Sequence, residues 1–230
     1  LRFVAVGGAR VAPTLLHAAR RGGLPVYEGY GLSECASVVS LNTPDHDRPG
    51  SAGRPLAHVS VSVEDGELVI DGSGFLGYLG QPDSWYPPGV HSGDLGRLDA
   101  DGYLHVHGRR DNLIVTAFGR NVSPEWVEAE LLAAPLLRDA VVFGSSEPHC
   151  VALLGAAPGT PRAAIDAWVR QVNVGLPDYA RVGAWSRLPA PLAASGLLTG
   201  NGRPRRHAIG ARYAHALTAL FAATTHGCSA

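Results

Sequence analysis

Two short apolar runs, each closing on glycine, bracket a helix-like stretch at the start of the chain. LRFVAVGG (1–8) reads as a strand running into paired glycines, and VAPTLLHAARRG (11–22) as a helix that stops at Gly22-Gly23. LPVYEGYG (24–31) reads as a second buried strand that ends in a glycine turn. Strand, helix and strand in that order predict the edge of an α/β sheet. The glycine turn then lies at a strand's C-terminal end, where open α/β sheets bind ligands.

The pattern changes at Pro49. HVSVSVEDGELVIDG alternates with a period of two, and Asp65-Gly66 and Asp101-Gly102 supply turns, so a small antiparallel β subdomain is expected over about 49–108. Asp111 to Gly119 is expected to form a hairpin. SPEWVEAELLAA follows as a helix with Ser123 at the N-cap, Pro124 at the first helical position and acids in the first turn. RDAVVFGSS and HCVALLGAA read as strands, and PRAAIDAWVRQVNVGL as an amphipathic helix. The expected organisation is α/β: a sheet edge with its β subdomain over 1–110, then a small α+β domain over 111–230.

Composition narrows the function classes. With 230 residues, 46% hydrophobic and 17% charged, the chain buries a real core and is not disordered. Lys+Arg 19 against Asp+Glu 20 leaves no basic excess for a nucleic-acid surface. No apolar run is long enough to span a membrane, and no signal-peptide pattern opens the chain. Three cysteines, Cys35, Cys150 and Cys228, are odd in number and far apart, which fits a reducing, cytoplasmic compartment better than a disulfide framework. The chain contains no methionine and begins mid-strand, so it reads as a piece of a longer protein.

Three stretches carry chemistry. In GYGLSE (29–34) the glycines let the backbone approach a ligand, Tyr30 can stack a flat ring, the Ser33 hydroxyl can donate to a phosphate oxygen, and Glu34 is a hard oxygen ligand suited to Mg²⁺. An ordinary tight turn after a strand is the plainer alternative. In HSGDLGRLDADGYL (91–104), Asp94 can accept from both hydroxyls of a ribose, or be a solvated turn acid. Asp99, Asp101 and Gly102 read as hairpin residues. In GRRDNLIVTAFGRNVSPEWVE (108–128), Arg109 can reach a ribose or phosphate through its fork of donors, or form a surface ion pair. The histidines show no metal-ligand spacing. Cys35 is better read as a small pocket-lining residue than as a nucleophile, and Trp126 and Trp168 as core.

Taken in order, GGA (7–9), GYGLSE, GELVIDGSGFLGYLG (66–80), SGDLG (92–96), GRRDNLIVTAFGRNVSPEWVE, LPDY (176–179) and TGNGRPRR (199–206) resemble the C-terminal half of the adenylate-forming superfamily of acyl-CoA synthetases, luciferases and adenylation domains. The spacing within 108–128 is most like that of long-chain fatty acyl-CoA synthetases. The resemblance implies an ATP- and Mg²⁺-dependent enzyme that activates a carboxylic acid, fatty or otherwise apolar, as an acyl-adenylate and passes the acyl group to coenzyme A. It implies that Tyr30 and Gly31 hold the adenine, with Gly8, Ala9 and Arg10 lining its pocket. Ser33 would bond the phosphate and Glu34 the magnesium. Asp94 would hold the ribose hydroxyls with Arg109, and Arg120 would lie near the phosphates. Asp111 would be the hinge for the small domain, and Gly119 would border the pantetheine tunnel. The pattern departs in two places: the family's glycine-rich phosphate loop is expected upstream of Leu1, and the family's C-terminal lysine falls on Arg203. Transfer to a carrier protein and a catalytically inactive nucleotide-binding module are the alternatives.

Overall fold

The computed structural model describes residues 1–225, so Cys228 lies outside the described residues. The chain forms two units, Leu1–Asp111 and a second from Asn112 onward.

In the first unit β1 (Val4–Val6) and β2 (Val26–Tyr30) are parallel, with α1 (Pro13–Arg21) crossing between them. Pro13 starts α1, where its missing N–H costs nothing, and Gly22-Gly23 end it, the Gly22 N–H donating to the Ala18 carbonyl and the Gly23 N–H to that of Arg20. Two-residue strands β3 (Ser40–Leu41) and β4 (Arg54–Pro55) extend the sheet in the order β1-β2-β3-β4. A second, antiparallel sheet is a meander of β5 (Ser60–Glu64), β6 (Glu67–Asp71), β7 (Val90–Leu98) and β8 (Leu104–Arg109). Asp65 and Gly66, at φ 48° and 79°, make the β5–β6 hairpin turn, the left-handed pair that matches strand twist.

The β subdomain therefore begins later than Pro49. Arg54-Pro55 carries no strand signal of its own, yet it pairs with β3 and belongs to the first sheet. The two sheets share one core of Cys35, Val39, Val59, Ile70 and Val90, so the antiparallel sheet packs directly behind the GYGLSE turn.

The second unit opens with a hairpin shifted from its expected place. Its strands are β9 (Ile114–Val115) and β10 (Asn121–Val122), with Ile114 opposite Val122. Asp111 sits before it in a 3-10 turn, and Gly119 (φ 70°) lies in the reversal rather than at the end. The apolar pair Ile114 and Val122, both buried, sets this register. In α2 (Pro124–Leu131) the Ser123 side chain accepts from the Trp126 N–H as the expected N-cap. A three-stranded sheet follows, with β11 (Leu137–Phe143) antiparallel to β12 (Cys150–Ala156), and β12 parallel to β13 (Val182–Arg187) through α3 (Arg162–Gly175). The sheet is covered on both faces. Cys150, Ala152 and Leu154 of β12 face α2 and α3, with Trp126 and Trp168 packed at the margin of that core. Val151 and Leu153 face the other way, toward α4 (Arg206–Arg212) and α5 (Ala214–Thr225). A strand buried on both faces reads as a continuous apolar run, as CVALLGA does. Burying each of its leucines contributes about 1.5–3 kcal/mol.

Candidate functional site

The glycines around Tyr30 are required by neighbouring backbone. A Cβ at Gly29 would lie 2.8 Å from Leu41 Cδ1 and 2.9 Å from the Ser40 carbonyl, and one at Gly31 would overlap the Ser37 carbonyl. After Tyr30 the chain makes a 3-10 turn over Ser33–Cys35, then passes through Ala36 and Ser37 at φ 54° and 83°. Left-handed backbone costs a residue with a Cβ about 1–2 kcal/mol. The Ser37 N–H donates to the Leu32 carbonyl at 3.0 Å and the Val39 N–H to the Tyr30 carbonyl at 2.9 Å, which holds the reversal.

That reversal aims Tyr30 at the second sheet. Its hydroxyl donates to Asp94 Oδ2 at 2.6 Å across a separation of 64 residues. Asp94 and Arg109 are directly opposed on β7 and β8. Arg109 Nη1 donates to Asp94 Oδ1 at 3.4 Å and to the Ser92 carbonyl at 2.7 Å. The guanidinium lies against Gly93, where a Cβ would come within 2.9 Å of Nη2. Buried Ser92 braces the carboxylate's strand: its hydroxyl donates to the Leu68 carbonyl at 2.7 Å and accepts from the Asp94 N–H at 3.0 Å. Burial and the neighbouring Asp94 charge push the Tyr30 hydroxyl well above its ordinary pKa, so it stays a proton donor at neutral pH. The structure thus brings Tyr30, Asp94 and Arg109 into one cluster, with only 13% of the Asp94 side chain exposed.

Glu34 stands in the same turn, half-buried, with Oε1 accepting from the Tyr78 hydroxyl at 2.8 Å. Ser33 beside it is exposed. Gly8, Ala9 and Arg10 are exposed after β1, and a Cβ at Gly7 would lie 3.1 Å from the Gly29 carbonyl, so this loop and the GYGLSE turn share one edge of the sheet. Cys35 is fully buried, and burial with the nearby Glu34 charge pushes its thiol up to about 11, so it packs rather than attacks. Burial alone does the same to Cys150.

The remaining expected residues belong to the junction and to the second unit. Asp111 is exposed at the junction of the two units. Gly119 and Arg120 are in the exposed reversal of the β9–β10 hairpin, with the Arg120 guanidinium 5.8 Å from the centre of the Tyr179 ring of LPDY. Arg203 is exposed on a small loop closed by Thr199, whose N–H donates to the Arg203 carbonyl at 2.8 Å and whose hydroxyl accepts from the Arg203 N–H at 3.1 Å. Arg206 is committed elsewhere. Its guanidinium donates to both carboxylate oxygens of buried Glu128, at 2.8 and 3.1 Å, and to the Val142 carbonyl at 2.8 Å.

Ser92 and Tyr78 were not anticipated from sequence. Tyr78 sits in GSGFLGYLG, and an aromatic between paired glycines was the available signal. Among the described residues no group of three or more His, Cys, Asp or Glu could cage a metal. A lone oriented carboxylate such as Glu34 fits Mg²⁺, which takes one or two carboxylates together with phosphate oxygens and water. A largely buried Asp94 carboxylate beside an aromatic ring fits a ribose and its base.

The AMP-binding enzyme family matches residues 1–79, and the AMP-binding enzyme C-terminal domain matches residues 111–225. The long-chain-fatty-acid–CoA ligase of Mycobacterium bovis is 31% identical over 96% of this chain and 42% of its own length. The 2-succinylbenzoate–CoA ligase of Bacillus velezensis is 36% identical over 64% of this chain and 34% of its own length. The o-succinylbenzoate CoA synthetase of Bacillus subtilis, solved with its acyl-adenylate intermediate, superposes with a TM-score of 0.73 at 26% identity, covering 90% of this chain and 45% of that one. The same synthetase has been solved with ATP and a magnesium ion. The chain therefore spans less than half the length of these relatives. No described helix is long and apolar enough to cross a membrane. On these matches, which cover the motifs around Tyr30 and Glu34 and residues 111–225, the chain belongs to the AMP-binding enzyme family.

Proposed function

We propose that this chain supplies the nucleotide cradle and the C-terminal domain of an ATP-dependent acid–thiol ligase. A substrate carboxylate attacks the α-phosphate of ATP, pyrophosphate leaves, and the thiol of coenzyme A then takes the acyl group and releases AMP. The observation that carries this reading is the Tyr30–Asp94–Arg109 cluster beside Glu34, in a chain of this family. Asp94 accepts the ribose hydroxyls, with Arg109 holding its carboxylate in place. Tyr30 and Gly31 face the adenine, with Gly8, Ala9 and Arg10 around it. Ser33 donates to the phosphate. Glu34 takes Mg²⁺, which when bound neutralises phosphate charge. Arg203, with Arg120 nearer the phosphates, supplies positive charge where negative charge gathers. Asp111 is the hinge and Gly119 borders the path of the pantetheine arm. A long-chain fatty acid is the favoured substrate, because the mycobacterial fatty-acid ligase aligns over 96% of the chain and the Bacillus velezensis ligase over 64%. Coenzyme A is favoured over a carrier protein because these relatives are named CoA ligases. Free, buried Cys35 and Cys150 fit a cytoplasmic setting.

The test is pyrophosphate release and thioester formation by the intact protein with ATP, Mg²⁺ and coenzyme A, across fatty acids of rising length and 2-succinylbenzoate. Turnover confined to 2-succinylbenzoate would refute the fatty substrate, and no turnover with any acid would refute the ligase. Arg203 at the family's lysine position favours one second reading, a nucleotide-binding module without turnover. That module would bind an acyl-adenylate analogue yet release no pyrophosphate.

A further inference from the structure

The turn that carries Glu34 is gripped from the other side by the segment 75–86. The Phe75 N–H donates to the Glu34 carbonyl at 2.7 Å, and the Tyr78 hydroxyl donates to Glu34 Oε1 at 2.8 Å, so one short segment holds both the backbone and the carboxylate of Glu34. The two side chains are 44 residues apart in sequence. The segment is itself built to hold Tyr78 still. The Phe75 and Tyr78 rings meet edge to face at 4.8 Å. The Tyr78 N–H donates to Ser84 Oγ at 2.8 Å, and Trp85 Nε1 donates to the Tyr78 carbonyl at 3.0 Å. Gly77, at φ 137°, lets the chain pass Trp85, where any Cβ would overlap the indole. Tyr78 is nearly half exposed, so burying apolar surface does not explain this bracing.

The geometry points to Tyr78 as a positioning residue that presents Glu34 to the magnesium of the nucleotide. The inference rests on the reading of Glu34 as that metal's ligand. A glutamate has three rotatable side-chain bonds, and fixing a long side chain costs rotamer entropy. Donation to one oxygen removes much of that freedom before the metal arrives and leaves the carboxylate to bind through the other. Single-oxygen ligation suits the strict octahedral geometry of Mg²⁺. Partners behind a ligand commonly tune metal affinity by about 10- to 100-fold. Because Tyr78 is half in water, the lower end of that range is expected.

The experiment is a Mn²⁺ titration by electron paramagnetic resonance in the presence of ATP, on the intact protein and on Tyr78→Phe, Glu34→Gln and the double variant. Phenylalanine keeps the ring and its contact with Phe75 and removes only the donor. Tyr78→Phe is expected to weaken Mn²⁺ about tenfold, Glu34→Gln more, and the double variant no more than Glu34→Gln alone. In pyrophosphate release, Tyr78→Phe should raise the Mg²⁺ concentration needed for half-maximal rate while saturating Mg²⁺ restores the rate; a merely structural loss would lower the rate at every concentration. Should Tyr78→Phe loosen the loop, Trp85→Phe, which removes the indole donor and leaves the hydroxyl, shows how much loosening alone moves the metal affinity. Weakening by Glu34→Gln with none by Tyr78→Phe, or with as much by Trp85→Phe, overturns the role of Tyr78 and leaves Glu34 as the ligand. Unchanged Mn²⁺ affinity in Glu34→Gln overturns the reading of Glu34, and the inference with it.

Discussion

Arg206→Ala should cost the second unit about 3 kcal/mol near pH 7.5, and less at lower pH. Arg206 joins three elements: both oxygens of Glu128 on α2, the Val142 carbonyl on β11, and its own place at the start of α4. Glu128 Oε1 also accepts from the Val142 N–H at 2.8 Å. The side chains of Arg206 and Glu128 are 14% and 8% exposed, so deleting the arginine leaves a buried carboxylate without its counter-charge. Breaking a buried pair from one side costs about 3–5 kcal/mol, and the slight exposure of Arg206 argues for the lower figure. Burial already holds the Glu128 carboxyl above its ordinary pKa, with Arg206 opposing that rise. Without Arg206 the folded-state pKa climbs further above the unfolded value. A carboxyl raised in this sense favours folding fully below its unfolded pKa, and the benefit is lost as pH rises through the folded one. The deficit of the variant should therefore shrink between pH 7.5 and pH 5, as Glu128 takes up a proton in the folded state. Urea unfolding at the two pH values, followed through hydrogen exchange of the β11 and β12 amides, measures it. A deficit below about 1 kcal/mol, or one equal at both pH values, would refute the argument. Glu128→Leu with Arg206→Met should recover part of the loss, since it removes both charges at once.

Four further outcomes are expected. Asp94→Ala in the intact protein should weaken an acyl-adenylate analogue by about tenfold or more, since a hydrogen bond to a charged group contributes about 1.5–3 kcal/mol; calorimetric titration decides, and unchanged affinity would make Asp94 a turn residue. Asp111→Pro should separate the two half-reactions by fixing φ at the proposed hinge, and equal loss in adenylate and thioester formation, or none, would count against a hinge there. Arg203→Ala should cripple adenylation and largely spare thioester formation from supplied acyl-adenylate, while Arg203→Lys keeps the rate; a normal rate in Arg203→Ala removes Arg203 from the catalytic set. Residues 1–230 alone should not release pyrophosphate from ATP and fatty acids, because the family's phosphate loop is not among them, and steady turnover would disprove it.

Sequence patterns located the elements whose ends are chemically marked. Pro13 and Gly22 bound α1, Ser123 caps α2, and the period-two run over β5 and β6 is plain. β13 was not read, because VGAWSR mixes a glycine and an arginine into a strand that pairs on one side only, with β12. α4 was not read either, because it follows the basic run 203–206 and shows one fully buried apolar residue, Ile209. Within the site, residues in GYGLSE and SGDLG could be singled out because glycines flank them. The pairing of Tyr78 with Glu34 could not, since no local spacing encodes a contact over 44 residues. The pairing of Arg206 with Glu128, 78 residues apart, was hidden for the same reason.

The two-faced burial of β12 bears on how the second unit fluctuates. Its alternate side chains are shared between the cores on the two sides of the sheet, so neither core can be opened without stripping the other of its central strand. Such an arrangement leaves little room for partial opening. Amides of β11, β12 and β13 should exchange with solvent hydrogen in a single slow class, through whole-unit unfolding, while the β9–β10 reversal exchanges fast. For the hinge proposed at Asp111, that stiffness would make the second unit respond as one piece, from the β9–β10 reversal to the loop of Arg203.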